Sequence, residues 1–368
     1  MVTDLRSKSP DELFSTPIVQ QTAFWSSLKS SLGVRSLALD FRVGGWDGVA
    51  TDVLVVLQRV DRFSSIAYVP YGPEVEPSES SQGAFLEELS ECLREVLPSD
   101  CFCLRYDLCW ESFWAKDPDY YDDQGHWLGP PQVKMQELRF NYNTVRWNLK
   151  KAPSNILPSN TVYLDLRPRR EQILAQMKPK TRYNIGLSRR KGVEVRCLGL
   201  EFLDTWYRLY AETARRNGLF LHDIEYFRAV LLARVRAEAA AGQDARVLLL
   251  VAESQGVPLA AMFLVLSGNR ASYLYGASAG DHRKVMATYA LQWEAMNIAR
   301  DRGCCQYDMF GVAPRPDPDH PMHGLYRFKT GFGGTLYHSL GCWDYPLDQE
   351  RYARFVSQEF HQQGFHLR

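Results

Sequence analysis

No apolar run in the sequence approaches the ~18 residues a membrane-spanning helix needs, and the opening MVTDLRSKSPDELF has no apolar core of signal-peptide length. A cytoplasmic protein is the expectation. Charge of one sign is not in excess either: 43 Lys and Arg balance 43 Asp and Glu over 368 residues. That balance excludes a protein that coats polyanions with its whole surface, so any phosphate contact must be local. Paired cysteines are absent. The eight cysteines, Cys92, Cys101, Cys103, Cys109, Cys197, Cys304, Cys305 and Cys342, form no CxxC and no Cys/His ladder. They indicate no zinc site and read mostly as small core residues.

What is present is a repeated rhythm. One stretch runs DVLVVLQRV, SSIAYVPYGPEV, the helical GAFLEELSECLREVL, then CFCLRYDL; another runs PLAAMFLVLSG, ASYLYGAS, the helical MATYALQWEAMNIARDRG, then CQYDMFG. Each is strand, strand, amphipathic helix, strand, and each ends on a Tyr-Asp pair, Tyr106-Asp107 and Tyr307-Asp308. Duplication is the economical explanation, and 368 residues suit two domains. The Pro/Ser/Asn-rich LKKAPSNILPSNT marks the linker. The expected division is 1–157 and 158–335, with 336–368 returning to the first domain as a strand and a helix beginning near Pro346.

Positive charge is concentrated once. KPKTRYNIGLSRRK (178–191) holds six Lys or Arg and no acid. The spacing predicts a helix over Arg182–Lys191 with Arg182, Ile185, Gly186 and Arg189 on one face and Tyr183 and Leu187 toward the core. A helix C-terminus attracts cations, which accounts for Arg189, Arg190 and Lys191 without function. Lys178 and Lys180 precede the helix, where the dipole disfavours them, so a polyanion-facing surface competes with a solvated one.

These residues carry a resemblance. KPKTRYNIGLSRRKGVEV resembles the signature of the FemABX family, tRNA-dependent aminoacyl transferases of peptidoglycan cross-bridges. QTAFWSSLKSSLG, YVPYGPEV, LRYDL, ETARRNGLF, YLYGAS, YDMFGV and LYRFKTGFGG follow in the family's order over roughly residues 18–350. The resemblance implies an α+β chain of two tandem GNAT-like domains without a long coiled-coil arm. It implies transfer of glycine, alanine or serine from aminoacyl-tRNA to the stem-peptide amine of UDP-MurNAc-pentapeptide or lipid II, in cell wall biogenesis and cell shape. No cofactor or metal is implied, because ester aminolysis is downhill. A monomer, with peripheral contact at the bilayer when the acceptor is lipid-linked, completes the expectation.

By the same resemblance Phe328 and Lys329 lie where the tRNA end and reacting carbonyl are expected, with Lys329 a cation beside the developing oxyanion. The glycines of LYRFKTGFGG would let backbone approach a substrate. Lys29 matches a lysine on the precursor's diphosphate. Where the family has an arginine and then a tyrosine, this sequence has His222 and Tyr226, and either Arg215 or Arg216 substitutes or the diphosphate is held more weakly. Tyr275 matches a tyrosine near the sugar-phosphate pocket. Lys178, Lys180, Arg182, Arg189 and Arg190 would meet tRNA; Gly186 stands where relatives often have another basic residue. Asp107 matches a position proposed as base, against which stands its duplicate, Asp308, at the same place in the other half.

Three other activities compete. Transfer to a protein N-terminus would use the same donor chemistry. A noncatalytic RNA-binding protein would need the basic stretch but not Lys329. An acetyl-CoA enzyme needs a pyrophosphate loop, and in RFKTGFG (327–333) the first glycine comes one residue too late and Phe328 fills a polar position.

Overall fold

Continuous Val- and Leu-rich runs such as those in ATDVLVVLQR and RVLLLVAES are buried residue after residue, as strands covered on both faces are. The structure is a computed structural model describing residues 2–44, 50–218, 221–239 and 245–361. Its chain divides into two compact units, the first made of residues up to Phe14, Gln20–Ser159 and the chain from His338, the second of Ser15–Val19 and Asn160–Tyr337.

In the first unit β1 (Val2–Lys8), β2 (Ser36–Val43), β3 (Ala50–Arg59) and β4 (Ser65–Val69) form an antiparallel meander. Helix α1 (Ala23–Ser31) precedes β2, and Thr22 caps it by accepting from the Trp25 N–H. Helix α2 (Gln82–Arg94) then crosses over to β5 (Cys101–Glu111), which lies parallel to β4. Helix α3 (Val133–Asn141) and the short β6 (Lys150–Lys151) follow.

The second unit begins with β7 (Asn160–Asp165), α4 (Arg170–Gln176), α5 (Pro179–Arg190), β8 (Val193–Leu198), α6 (Leu203–Asn217) and α7 (Ile224–Ala239). Its meander is β9 (Arg246–Ser254), β10 (Val257–Ser267) and β11 (Arg270–Ser278); α8 (Ala287–Asp301) crosses over to β12 (Gln306–Asp308), parallel to β11. Within this unit the order is β7-β12-β11-β10-β9-β8. Helix α9 (His323–Lys329) comes last. Both units thus share meander, crossover helix and parallel strand: two GNAT-like units in an α+β chain.

Strand β13 (Thr335–Pro346) pairs antiparallel with β5, from Ser339 opposite Glu111 to Pro346 opposite Cys103, and α10 (Gln349–His361) follows. Arg105 of β5 fixes this return. It donates to Asp344 at 2.7 and 2.8 Å and to Glu359 at 2.9 and 2.8 Å, all three side chains being buried. Bidentate geometry on both carboxylates is what makes so buried a cluster tolerable.

The basic helix α5 starts at Pro179 rather than Arg182, because proline at the first position needs no donor. Its inward face also differs from expectation. Thr181, Asn184, Ile185 and Ser188 are buried, whereas Tyr183 is exposed. Of the eight cysteines, Cys101, Cys103, Cys304 and Cys342 are buried, Cys197 is exposed, and all are free.

Candidate active site in the second unit

Strand β11 pairs with β12 only from Arg270 opposite Gln306 to Ser272 opposite Asp308, although β11 runs on to Ser278. Beyond Ser272 the two parallel strands part. A register shift falls at the same level: Phe263 of β10 faces Tyr275 and Leu264 faces Tyr273, leaving one residue of β11 extra. A bulge of this kind reverses side-chain alternation. Tyr273 therefore joins the core under α8, whereas Tyr275 packs against Phe227 and Phe263 under α6 and α7.

Lys329 points into the opening on the Tyr273 side. It is 3% exposed, and its Nζ donates to the carbonyl oxygens of Phe310 at 3.0 Å and Gly311 at 2.7 Å, with the Tyr273 ring centroid 5.3 Å away. Those carbonyls are aimed by a chain of contacts: Thr161 donates to Asp308, and Asp308 accepts from the Phe310 N–H at 2.8 Å. Phe310 itself is held at φ +59°, a left-handed conformation rare for a bulky residue. Burial pulls the Lys329 amine down to about 7, with Asp308 partly opposing. Burial also raises the carboxyl of Asp308, against the Thr161 hydrogen bond and the Arg270 and Lys329 charges. As an ammonium, Lys329 has three N–H donors, two of which are used on carbonyls.

Phe328, one residue earlier, lines a cavity of about 620 Å³ at the N-terminus of α8. Ala287 and Thr288 present that N-terminus, no acid occupies its first turn, and Arg216, His282 and Arg283 stand around it together with one acid, Asp281; Glu212 lies 3.9 Å from Arg216. Arg216 donates to the carbonyl and hydroxyl oxygens of Ser278, each at 3.0 Å. Burial and the neighbouring Arg283 charge pull its guanidinium below the ordinary range. Tyr289 meets Phe328 edge-on at 5.1 Å. Two guanidiniums beside a helix N-terminus define an anion-binding pocket with an aromatic wall.

The basic segment adjoins it. The Lys178 N–H donates to Gly331 O at 2.9 Å, two residues from Lys329. Lys178, Lys180, Arg189 and Arg190 are exposed and make no ion pair with any described residue. Arg190 lies over the Tyr183 ring at 5.8 Å, across the face that Gly186 leaves low. Arg182 is partly committed elsewhere, donating to Ala175 O at 3.1 Å and Met177 O at 2.5 Å, the last carbonyls around α4.

Several sequence expectations move. The glycines of LYRFKTGFGG serve packing rather than substrate approach: a Cβ on Gly331, Gly333 or Gly334 would collide with Thr181 Oγ1, Gln176 O or Tyr163 O. Arg216 does not join His222; it lines the cavity instead, and Arg215 is exposed in the last turn of α6. His222 stacks on Tyr226 at 4.5 Å, and the Tyr226 and Tyr275 hydroxyls are 2.7 Å apart. These three therefore share the face opposite Lys329. In the first unit Lys29 lies over Trp25 at 5.0 Å, and burial lowers its pKa. Asp107 is fully buried, accepting from Tyr68 Oη at 3.0 Å and the Leu157 N–H at 2.8 Å, so a substrate amine cannot reach it as the strand stands. Burial raises its carboxyl to about 6, against those hydrogen bonds.

The sequence reading passed over His282, Arg283, Tyr289, Tyr273 and Thr161. A signal existed for the first two: in DHRKVMATYA the basic residues precede a helix, as Lys178 does at α5.

A model of the FemAB family matches residues 15–233 and 242–357, and the chain belongs to that family. It is 24% identical over 290 residues to the lipid II:glycine glycyltransferase of Staphylococcus epidermidis, covering 64% of this chain and 68% of that protein. The protein of that name from Staphylococcus aureus is 23% identical over 295 residues, covering 64% and 69%. The crystal structure of FemX superposes with a TM-score of 0.73 at 18% identity, over 96% of this chain and all of that one, and so shares the fold.

Proposed function

We propose that the chain is an aminoacyltransferase of peptidoglycan bridge formation. It moves glycine, alanine or serine from aminoacyl-tRNA to the stem-peptide amine of lipid II or its nucleotide-linked precursor, with glycine the first donor to test. The observation that carries the reading is Lys329: a buried side chain that, as an ammonium, has one N–H in excess of its two carbonyl acceptors, at a parting of parallel strands beside a cavity lined by Arg216 and Arg283. Family membership supports the reaction class.

In this mechanism the tRNA 3′ end occupies the cavity, its phosphates facing Arg216, Arg283 and the α8 N-terminus and a terminal base against Phe328 and Tyr289. The upstream backbone follows Lys178, Lys180, Arg189 and Arg190. The acceptor approaches from the face of His222, Tyr226 and Tyr275. The parted strands let amine and ester meet. The amine nitrogen bonds to the ester carbonyl carbon, the carbon–oxygen bond to the ribose breaks, and the amine proton ends on the released ribose oxygen. Lys329 donates its third N–H to the oxyanion that forms between these events. Asp107 orders the segment at Leu157 and takes no proton from substrate. The test is incubation with mixed aminoacyl-tRNAs and a muramyl-pentapeptide precursor, read by mass. A product heavier by one residue supports the proposal; unchanged precursor with every charged tRNA overturns it.

A further inference from the structure

Helix α3 is amphipathic in an unusual sense. Gln136 and Phe140 face inward, while Met135, Leu138 and Tyr142 lie within about 60° of one another on the opposite side, at ~100° per residue. Met135 is 56% exposed and Tyr142 77%; the loop beyond adds Val145 at 90% and Trp147 at 50%. Lys134 and Arg139 flank the stripe. From Leu128 to Lys150 there are four Lys or Arg and a single acid, Glu137; Arg139 pairs with Glu79 at 3.1 Å, Arg146 with Glu91 at 3.5 Å and Lys150 with Glu137 at 3.9 Å, all partly exposed, while the exposed Lys134 makes no ion pair with a described residue.

The loop is built, not loose. Glu87, nearly buried, accepts from the Val145 and Arg146 N–H groups at 2.7 and 2.8 Å. Asn141 donates to the carbonyls of Glu137 and Leu149 and accepts from the Leu149 N–H at 3.0 Å. Trp147 is held at φ +52°. Polar groups fix the backbone while the apolar side chains are turned to solvent. That arrangement costs solubility unless something covers the face.

We propose that the Met135–Trp147 face of the first unit docks on an anionic lipid bilayer, Met135, Leu138 and Val145 entering the acyl boundary, Tyr142 and Trp147 at headgroup level and the flanking cations on lipid phosphates. The choice of a bilayer rests on the reading above in its form with lipid II as the acceptor, together with the solvent-facing apolar stripe and Lys134 beside it. A second copy of the chain is the competing occupant, and the mixed basic rim disfavours two such faces meeting.

The experiment is co-sedimentation of the full chain with vesicles of phosphatidylglycerol and phosphatidylcholine in equal parts, against phosphatidylcholine alone. The wild type should pellet with the mixed vesicles and much less with the neutral ones. Tyr142→Ser/Val145→Ser/Trp147→Ser should lose at least tenfold in vesicle affinity with an unchanged thermal melt; should it misfold, Met135→Ser/Leu138→Ser serves instead. Lys134→Glu/Arg146→Glu should remove the preference for anionic lipid. Transfer to the water-soluble nucleotide-linked precursor is measured in parallel and should be unaltered in all variants. Absence of wild-type vesicle binding, or binding undiminished in the folded variants, overturns docking, as does a wild-type dimer that the triple variant makes monomeric. Loss of transfer in the wild type with vesicle binding intact would overturn the function proposed above and not this surface.

Discussion

The two crossover helices meet different fates at their N-termini. At α2 a groove of about 720 Å³ runs between Glu79, Ser80 and Gly83 on one side and Met135, Leu138 and Arg139 of α3 on the other, and α3 packs so closely that a Cβ on Gly83 would overlap the Phe140 carbonyl oxygen. At α8 the corresponding place opens into the cavity ringed by Arg216, His282 and Arg283. The buried lysines diverge in the same way. Lys151 donates to Leu340 O at 3.0 Å and Cys342 O at 2.8 Å beside Asp107, much as Lys329 donates to Phe310 O and Gly311 O beside Asp308. Lys151, however, is followed by its own loop, while Lys329 adjoins Phe328 and the cavity. The groove at α2 carries the acid Glu79 where the cavity at α8 carries Arg216 and Arg283, and this difference in charge is what favours the second unit for the anionic donor in the reading proposed above.

Exchanging the lysines tests this contrast most sharply. Lys329→Met should lower turnover by about 10²–10³-fold, the usual cost of removing one oxyanion donor, with the circular dichroism of the wild type. Lys151→Met should destabilise the first unit yet leave turnover within about threefold in the folded fraction. Equal losses would erase the distinction. Because burial holds Lys329 near 7, the charged form required for donation is lost as pH rises through that value, so turnover should fall above pH 7. In stability the sense is opposite: the folded state releases this proton more readily than the unfolded one. Its contribution to stability is therefore unfavourable below about 7 and is relieved as pH rises toward 10.5. The pH-rate profile should lose its descending limb near 7 in Lys329→Arg if that variant retains activity.

Arg216→Ala/Arg283→Ala should raise the KM for aminoacyl-tRNA about tenfold with little change in kcat, as expected for ground-state binding. Arg189→Glu/Arg190→Glu should weaken tRNA binding several-fold and reduce the slope of log affinity against log salt by about one to two. An unchanged slope would make α5 a merely solvated surface. The smallest effect is expected at Asp107→Asn, which should leave turnover within about threefold while lowering the melting temperature, since it keeps the shape and loses acceptor strength toward Tyr68 and Leu157.

Much of this was legible. The paired rhythm, the Tyr-Asp strand ends and the acid-free 178–191 stretch all survive as meander, parallel strand and exposed cationic helix. Lys329 could be nominated from LYRFKTGFGG, but not its burial, because the carbonyls that hold it come from Phe310 and Gly311. Tyr273 escaped notice because an extra residue in one strand leaves no compositional mark, yet it reverses which tyrosine of YLYGAS faces the lysine. Ile185 and Tyr183 were exchanged because starting α5 at Pro179 leaves its inward face to be set by Thr181, Asn184 and Ser188, small polar residues that apolar periodicity does not register. The glycines misled since tight packing of a chain on itself and close approach to a ligand make the same demand on side-chain size.

Arg105 and its two carboxylates have a bearing on how the molecule is made. Asp344 is 239 residues away along the polypeptide, so the guanidinium stays without its partners until β13 and α10 have emerged from the ribosome. The intervening lobe can fold first, since apart from Ser15–Val19, already synthesised, it is the single stretch Asn160–Tyr337. The earlier-synthesised lobe must wait, its β5 edge unpaired, and is the part that a chaperone would be expected to guard during translation.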